Sequence, residues 1–274
     1  MSNRIFKILV RAFLAIGVFL SIFPFYWMIV MASKDNSEIY HIPPDLMLGS
    51  ELMNNIKTVF TETTFFSSLL NTLFVALTST LLILFFDSLA GFSFAKLNFK
   101  RKAFLFTFLL GTMMIPGQLN IIPSFYLMDK FGWVGSYKAL IIPGMANAFG
   151  IFWIKQYCTD AIPDSLLESA KLDGCTLFKA YYKVVLPIMK PALAFLSLYS
   201  FMGAWNDYMW PLIILNDESK YTLMLALTQL QGLYKTNYPL VITGTLLATL
   251  PLLLVFTIFS KQLISGITEG AVKQ

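Results

Sequence analysis

Six stretches of this chain are apolar over the length that a bilayer demands. They fall at about 9–32, 68–91, 103–125, 138–155, 191–215 and 239–263. A hydrocarbon core about 30 Å thick is crossed by about 20 helical residues. Within that core every backbone polar group needs a protein partner, and a continuous helix supplies it. The chain is 57% hydrophobic and only 13% charged, against about a quarter charged in soluble domains. The expected fold class is therefore all-α: a polytopic membrane protein with six transmembrane helices. Two spans carry interruptions, the third at Pro116-Gly117 and Pro123, the fourth at Pro143-Gly144 with Asn147 beyond. The first apolar run follows Arg4, Lys7 and Arg11, as a signal peptide's would. It is long for one, so it reads as an uncleaved spanning helix.

Sidedness follows from the cations. Fourteen of the twenty Lys and Arg lie in the N-terminal segment, the 92–102 and 155–190 connections and the C-terminal tail. The remaining six lie in the alternate connections. The richer side is cytoplasmic, which places both termini inside. This sidedness accounts for the net charge of +5, so no nucleic-acid partner is implied. Cys158 and Cys175 then lie in reducing surroundings, where a disulfide is not expected. Together with the single His41 they are too few for a Cys/His metal site. The whole chain, 1–274, reads as one transmembrane domain.

The 156–190 connection is long for a cytoplasmic loop, and it is patterned. Ser165 and Glu168 fit a capping box that opens a helix running from Leu166 to Leu172. Gly174 fits its stop. A second helix fits from Thr176 to Val185, with Leu177, Tyr181, Val184 and Val185 on one apolar face. Leu186-Pro187 is expected to end it. Two short helices about a glycine turn make a rigid elbow. No Gly-x-x-x-x-Gly-Lys-Ser/Thr phosphate loop occurs in the chain, so any ATP that drives it would bind a partner.

The stretch ESAKLDGCTLFKAYYKVVLP resembles the Glu-Ala-Ala-x-x-Asp-Gly-Ala…Leu-Pro signature of permease subunits in binding-protein-dependent ABC importers. It matches at Glu168, Ala170, Asp173, Gly174, Leu186 and Pro187. It departs at Ser169, Cys175, Tyr181 and Val184 by small changes. Ser88 to Phe99, Met114-Ile115-Pro116, Trp205-Asn206-Asp207 and Gly266 to Lys273 resemble the maltose-transporter class, whose substrates are oligosaccharides and polyols. The chain is similar to the second, six-span permease of the usual pair. The resemblance implies a type I ABC-importer transmembrane fold in the bacterial cytoplasmic membrane. It implies a homologous second permease, two ATPase domains carrying ATP and Mg, and an external solute-binding protein. It implies no cofactor in this chain and no catalysis by it. Glu168, Ser169, Ala170, Leu172, Asp173, Gly174 and Cys175 would form the contact with the ATPase. The polar tail from Gly266 would also reach the ATPase pair. A permease for a non-sugar solute is the alternative, and a secondary transporter the more distant one.

Polar residues inside spans complete the candidates. Trp205, Asn206 and Asp207 suit either sugar contact or anchoring at the interface, with a lining or gating role for the last two. Asp87 is expected to pair with a neighbouring span or to reach the interface. Gly244 and Ala248 allow a close helix approach, within the chain or at a seam with the partner.

Overall fold

The computed structural model describes residues 3–231 and 236–271. Every regular element among them is helical. Three helices are long and apolar enough to cross a membrane unbroken. They lie in α1 (Asn3–Ala32), α3 (Phe65–Lys96) and α14 (Tyr238–Ala271). Between α1 and α3 lies α2 (Leu52–Glu62).

The other three expected spans are not single helices. The third stops at Thr112: α4 (Lys102–Thr112) is followed, after a 93° bend, by a short 3-10 turn and α5 (Ile121–Lys130). Pro116 accounts for the break, because it has no N–H to donate and holds Ile115 away from helix. Pro123 lies within the first turn of α5, where a missing N–H costs nothing. The fourth divides at Pro143-Gly144 into α6 (Lys138–Ile141) and α7 (Ala148–Ala161). Next come α8 (Asp164–Leu172), α9 (Leu177–Ala180), a π-helical turn (Tyr181–Val185) and α10 (Leu186–Ile188). The fifth starts at α11 (Lys190–Asn206), bent 78° from the preceding helical stretch. It ends at Asn206, not near 215, because Asp207 turns extended (φ −68°, ψ 120°) before α12 (Met209–Ile214). The short α13 (Leu223–Leu227) follows.

The chain forms two compact units. One holds the residues up to Phe66 together with Ala226–Pro251. In it α1 is exposed along most of its length, as a lipid-facing helix would be, and its end at Val30, Met31 and Ala32 is buried. The carbonyls at that end need partners. Asn55 Nδ2 in α2 donates to Ala32 O at 2.9 Å and to Lys34 O at 3.1 Å. Thr243 Oγ1 in α14 also donates to Ala32 O, at 3.3 Å. Gly244 faces inward: a Cβ there would lie 2.6 Å from Leu227 Cδ2. Its smallness therefore serves packing within the chain, and Ala248 one turn on is likewise fully buried. The other unit holds Ser67–Leu225 and the chain from Leu252. Its core gathers Phe92, Ile154, Cys158, Tyr181, Val185 and Leu196.

Asn55→Asp keeps the shape of the side chain and removes both N–H donors. Leaving a buried carbonyl unpaired costs about 1–3 kcal/mol. The thermal midpoint in detergent is expected to fall by several degrees; an unchanged midpoint would show that α1 is held by other means.

Candidate functional site

The elbow forms as the sequence suggests, with its ends shifted. The start of α8 is Asp164, and Pro163 is the N-cap without a side-chain hydrogen bond. The expected capping box is therefore absent: Ser165 lies inside the helix, where its carbonyl accepts from Ser169 Oγ at 2.9 Å. Pro163 fixes its own φ near the helical value, which moves the start ahead of Ser165. Asp164 supplies the negative charge that a first turn favours.

The stop is as expected. Gly174 takes φ +74°, in the left-handed region. Cys175 N–H donates to Ala170 O and Gly174 N–H donates to Lys171 O, both at 3.0 Å. These two bonds are a Schellman closure, which uses the orphan carbonyls of α8. Thr176 then caps α9, its Oγ1 accepting from Lys179 N–H at 3.3 Å.

The second helix does not end before Pro187. It widens into the π-helical turn Tyr181–Val185 and continues as Leu186–Ile188. A single π turn re-spaces the ladder around a residue that cannot donate. Its expected apolar face is divided: Tyr181 and Val185 are buried, while Leu177 is exposed. Glu168, Ser169, Leu172, Asp173 and Gly174 all lie on the exposed side of the elbow, Cys175 is half-buried and Ala170 is buried. Leu172 is 89% exposed and Phe178 66%.

Both arms of the elbow are tied to α3. Lys96 Nζ, in the last turn of α3, donates to Asp164 Oδ1 at 2.7 Å, and this ammonium holds the Asp164 carboxyl below the usual carboxylate range. Ser88 Oγ and Tyr181 Oη lie 2.7 Å apart in a buried hydrogen bond. Phe92 packs on Tyr181 with ring centroids 5.4 Å apart.

Asp87 is fully buried and pairs with a neighbouring helix, one of the two outcomes expected for it. Its Oδ1 accepts from Asn147 N–H at 3.0 Å and its Oδ2 from Asn147 Nδ2 at 2.9 Å. Asn147 in turn caps α7: its Oδ1 accepts from Gly150 N–H at 2.8 Å. A Cβ on Gly150 would overlap Asp87 Oδ2, and one on Gly91 would lie 2.7 Å from Ile154 Cβ. Helices α3 and α7 thus touch closely at two levels. Asn147 appears in the sequence only as an interruption of an apolar run. Its placement before Ala148 is an N-cap signal, but nothing local names a partner 60 residues away.

The middle of α3 lines a cavity of about 670 Å³ with Val75, Ser79 and Ile83. Asn147, Asn206 and Asp207 also line it. Asn206 Nδ2 is engaged by Met202 O at 2.9 Å, and Asp207 Oδ1 accepts from Trp210 N–H at 3.3 Å. Trp205 does not line the cavity. It is fully buried, its ring 5.5 Å from that of Phe201, so its face is closed to a sugar in this conformation. From Val75 to Lys96 the helix runs about 32 Å, from cavity to elbow.

The arrangement yields a specific expectation. Asp87→Asn sets one amide donor against another and loses a bond to a charged acceptor, a loss of about 1.5–3 kcal/mol. In the double exchange Asp87→Asn with Asn147→Asp, the new amide donates to the new carboxylate and all three contacts can re-form. Thermal unfolding in detergent should show the single variant destabilised and the exchange restored; a double variant no better than the single would refute this hydrogen-bond assignment.

Comparison with known proteins gives a consistent picture. The family described as "Binding-protein-dependent transport system inner membrane component" matches residues 87–268. The arabinooligosaccharides transport system permease protein AraQ of Bacillus subtilis is 31% identical, over 98% of this chain and 96% of its own. The lactose transport system permease protein LacG of Rhizobium radiobacter is 34% identical, over 100% and 98%. A similar solved structure is a crystal structure of a bacterial ABC transporter involved in the import of the acidic polysaccharide alginate. It superposes with a TM-score of 0.81 at 22% identity, covering 95% of this chain and 97% of that one.

Proposed function

The chain belongs to the family of binding-protein-dependent transport system inner membrane components, and from that premise we propose that it is one permease subunit of an ATP-driven carbohydrate importer. It is a multi-pass protein of the inner membrane and a transport subunit. The sugar class rests on relatives named for arabinooligosaccharide and lactose transport.

The observation that carries the mechanism is the continuity of α3. The middle of this helix walls the cavity, and its C-terminal part is bonded to both arms of the exposed elbow. In the proposed cycle a homologous second permease completes the pathway and an external binding protein delivers the sugar. Two partner ATPase domains hold ATP and Mg and close on each other. Their closure displaces Glu168 to Cys175, and α8 carries the motion through Asp164–Lys96 to α3 and through Asn147–Asp87 to the cavity wall. Hydrolysis resets the arrangement. Asn206 and Asp207 line the pathway or its gate.

The experiment is uptake of labelled arabinooligosaccharide or lactose into proteoliposomes, with the second permease, the ATPase and the binding protein present. Gly174→Pro locks φ near −65° where the elbow needs +74°. This variant and Glu168→Lys are expected to insert and assemble, to retain basal ATP hydrolysis, and to lose uptake. Uptake at the native rate by either variant would sink the coupling role. In the same assay Asn206→Ala separates two roles: altered preference between sugars marks a contact, and altered basal hydrolysis with unchanged preference marks a gate.

A further inference from the structure

The transport reading leaves a second cavity unused. It has a volume of about 490 Å³ and lies where the end of α3, the start of α4 and the middle of α7 meet. Three cations line it, Arg101, Lys102 and Lys155, and no carboxylate does among the described residues. Its walls include Phe94, Phe99 and Phe106.

The cations are differently employed. Lys102 Nζ donates to Leu97 O at 2.9 Å and to Ala95 O at 3.4 Å, which closes the end of α3. Lys155 Nζ lies 5.1 Å from the centroid of Phe106 and forms no ion pair among the described residues. Arg101 is exposed and likewise forms none. Arg101 also takes φ +62°, the single non-glycine residue with positive φ among those described. Glycine or asparagine would adopt that conformation more readily. Arg101 is the N-cap residue of α4, where the helix dipole adds positive potential. The aromatic walls form a connected cluster: the rings of Phe99 and Phe106 lie 5.6 and 5.4 Å from that of Phe94. This part of the chain carries its surplus of Lys and Arg on the cytoplasmic side.

We propose that this cavity binds the phosphate of an anionic phospholipid from the cytoplasmic leaflet, with its acyl chains against Phe94, Phe99 and Phe106. Cations alone would serve a soluble phosphate equally well. The aromatic walls beside the cations commit the site to a lipid, since basic pockets between membrane helices take anionic headgroups. The proposal depends on membrane embedding and sidedness, and not on which solute is transported. The lipid would bridge the α3–α4 turn to Lys155 on α7, the helix that leads into the elbow.

The full chain, purified in neutral detergent with the subunits that accompany it, is titrated with phosphatidylglycerol or phosphatidylcholine and followed by native mass spectrometry. Phosphatidylglycerol should be retained and phosphatidylcholine should not. Arg101→Gly and Lys155→Met should each weaken retention about fivefold, the effect of one surface cation on an anionic lipid. Arg101→Gly relieves the backbone, so loss of fold would not explain its effect. Lys57→Met, in a connection on the other side, should change nothing. Equal retention of the two lipids, or unchanged retention in both variants, would overturn the proposal. Inorganic phosphate and glycerophosphoglycerol form the other arm. Displacement of the lipid by either at equal concentration would assign the site to a soluble phosphate and remove the lipid.

Discussion

Asp87 accepts hydrogen bonds from the backbone and side-chain amides of Asn147, and Asn147 caps α7 through Gly150. An aspartate at the centre of a membrane helix costs about 2.5–3.5 kcal/mol on insertion scales. Two hydrogen bonds to a charged acceptor contribute about 1.5–3 kcal/mol each, and the N-terminus of a helix adds a favourable field. The gains offset the cost only if the carboxylate and the cap stay together. The position of α7 on α3 is therefore fixed by a polar contact that lipid cannot replace. Gly150 belongs to the same requirement, because any side chain there would occupy the carboxylate's place. Gly91 permits the same closeness one turn further along α3.

That contact lets the rest of the unit be irregular. A helix broken within a bilayer exposes orphan amides and carbonyls, and these are tolerated only where protein supplies partners. Asp87 and Asn147 supply them after the Pro143-Gly144 break. At Pro187 the chain meets the same problem differently, by widening one turn and anchoring it through Ser88 and Tyr181. Both solutions use α3 as the fixed partner. The helix that walls the cavity is also the one against which these two breaks are repaired.

How much of this was legible follows from the range of each signal. Apolar length identified α1, α3 and α14, because spanning a bilayer is a property of composition within one segment. The glycine stop was legible for a similar reason: a Schellman closure spans only six residues. The cap falls ahead of Ser165 because Pro163 and Asp164, two and one residues earlier, start the helix in its place. The end expected at Pro187 failed because a tertiary anchor, Tyr181 on Ser88, outweighs the local preference of the residue before proline. Trp205 suits a sugar platform by its neighbours in sequence, and only its burial and packing on Phe201 show it closed. The Asp87–Asn147 and Lys96–Asp164 pairs join positions 60 and 68 residues apart, so no local pattern connects them.

The outer surface of the elbow raises one remaining physical question: why it should expose Leu172, Leu177 and Phe178 to the cytoplasm. Glu168, Lys171, Asp173 and Lys179 stand among these apolar residues and not on an opposite face. A helix made to lie on lipid segregates the two kinds and favours cations. Interspersed charges of both signs around apolar knobs suit a protein groove instead, where the knobs fill pockets and a polar rim surrounds them. A short helix closed by a glycine in left-handed geometry presents those knobs from a fixed direction, and the Lys96 and Ser88 contacts fix its base. A surface so held yields little when pushed, so displacement imposed at Leu172 is passed on to α3.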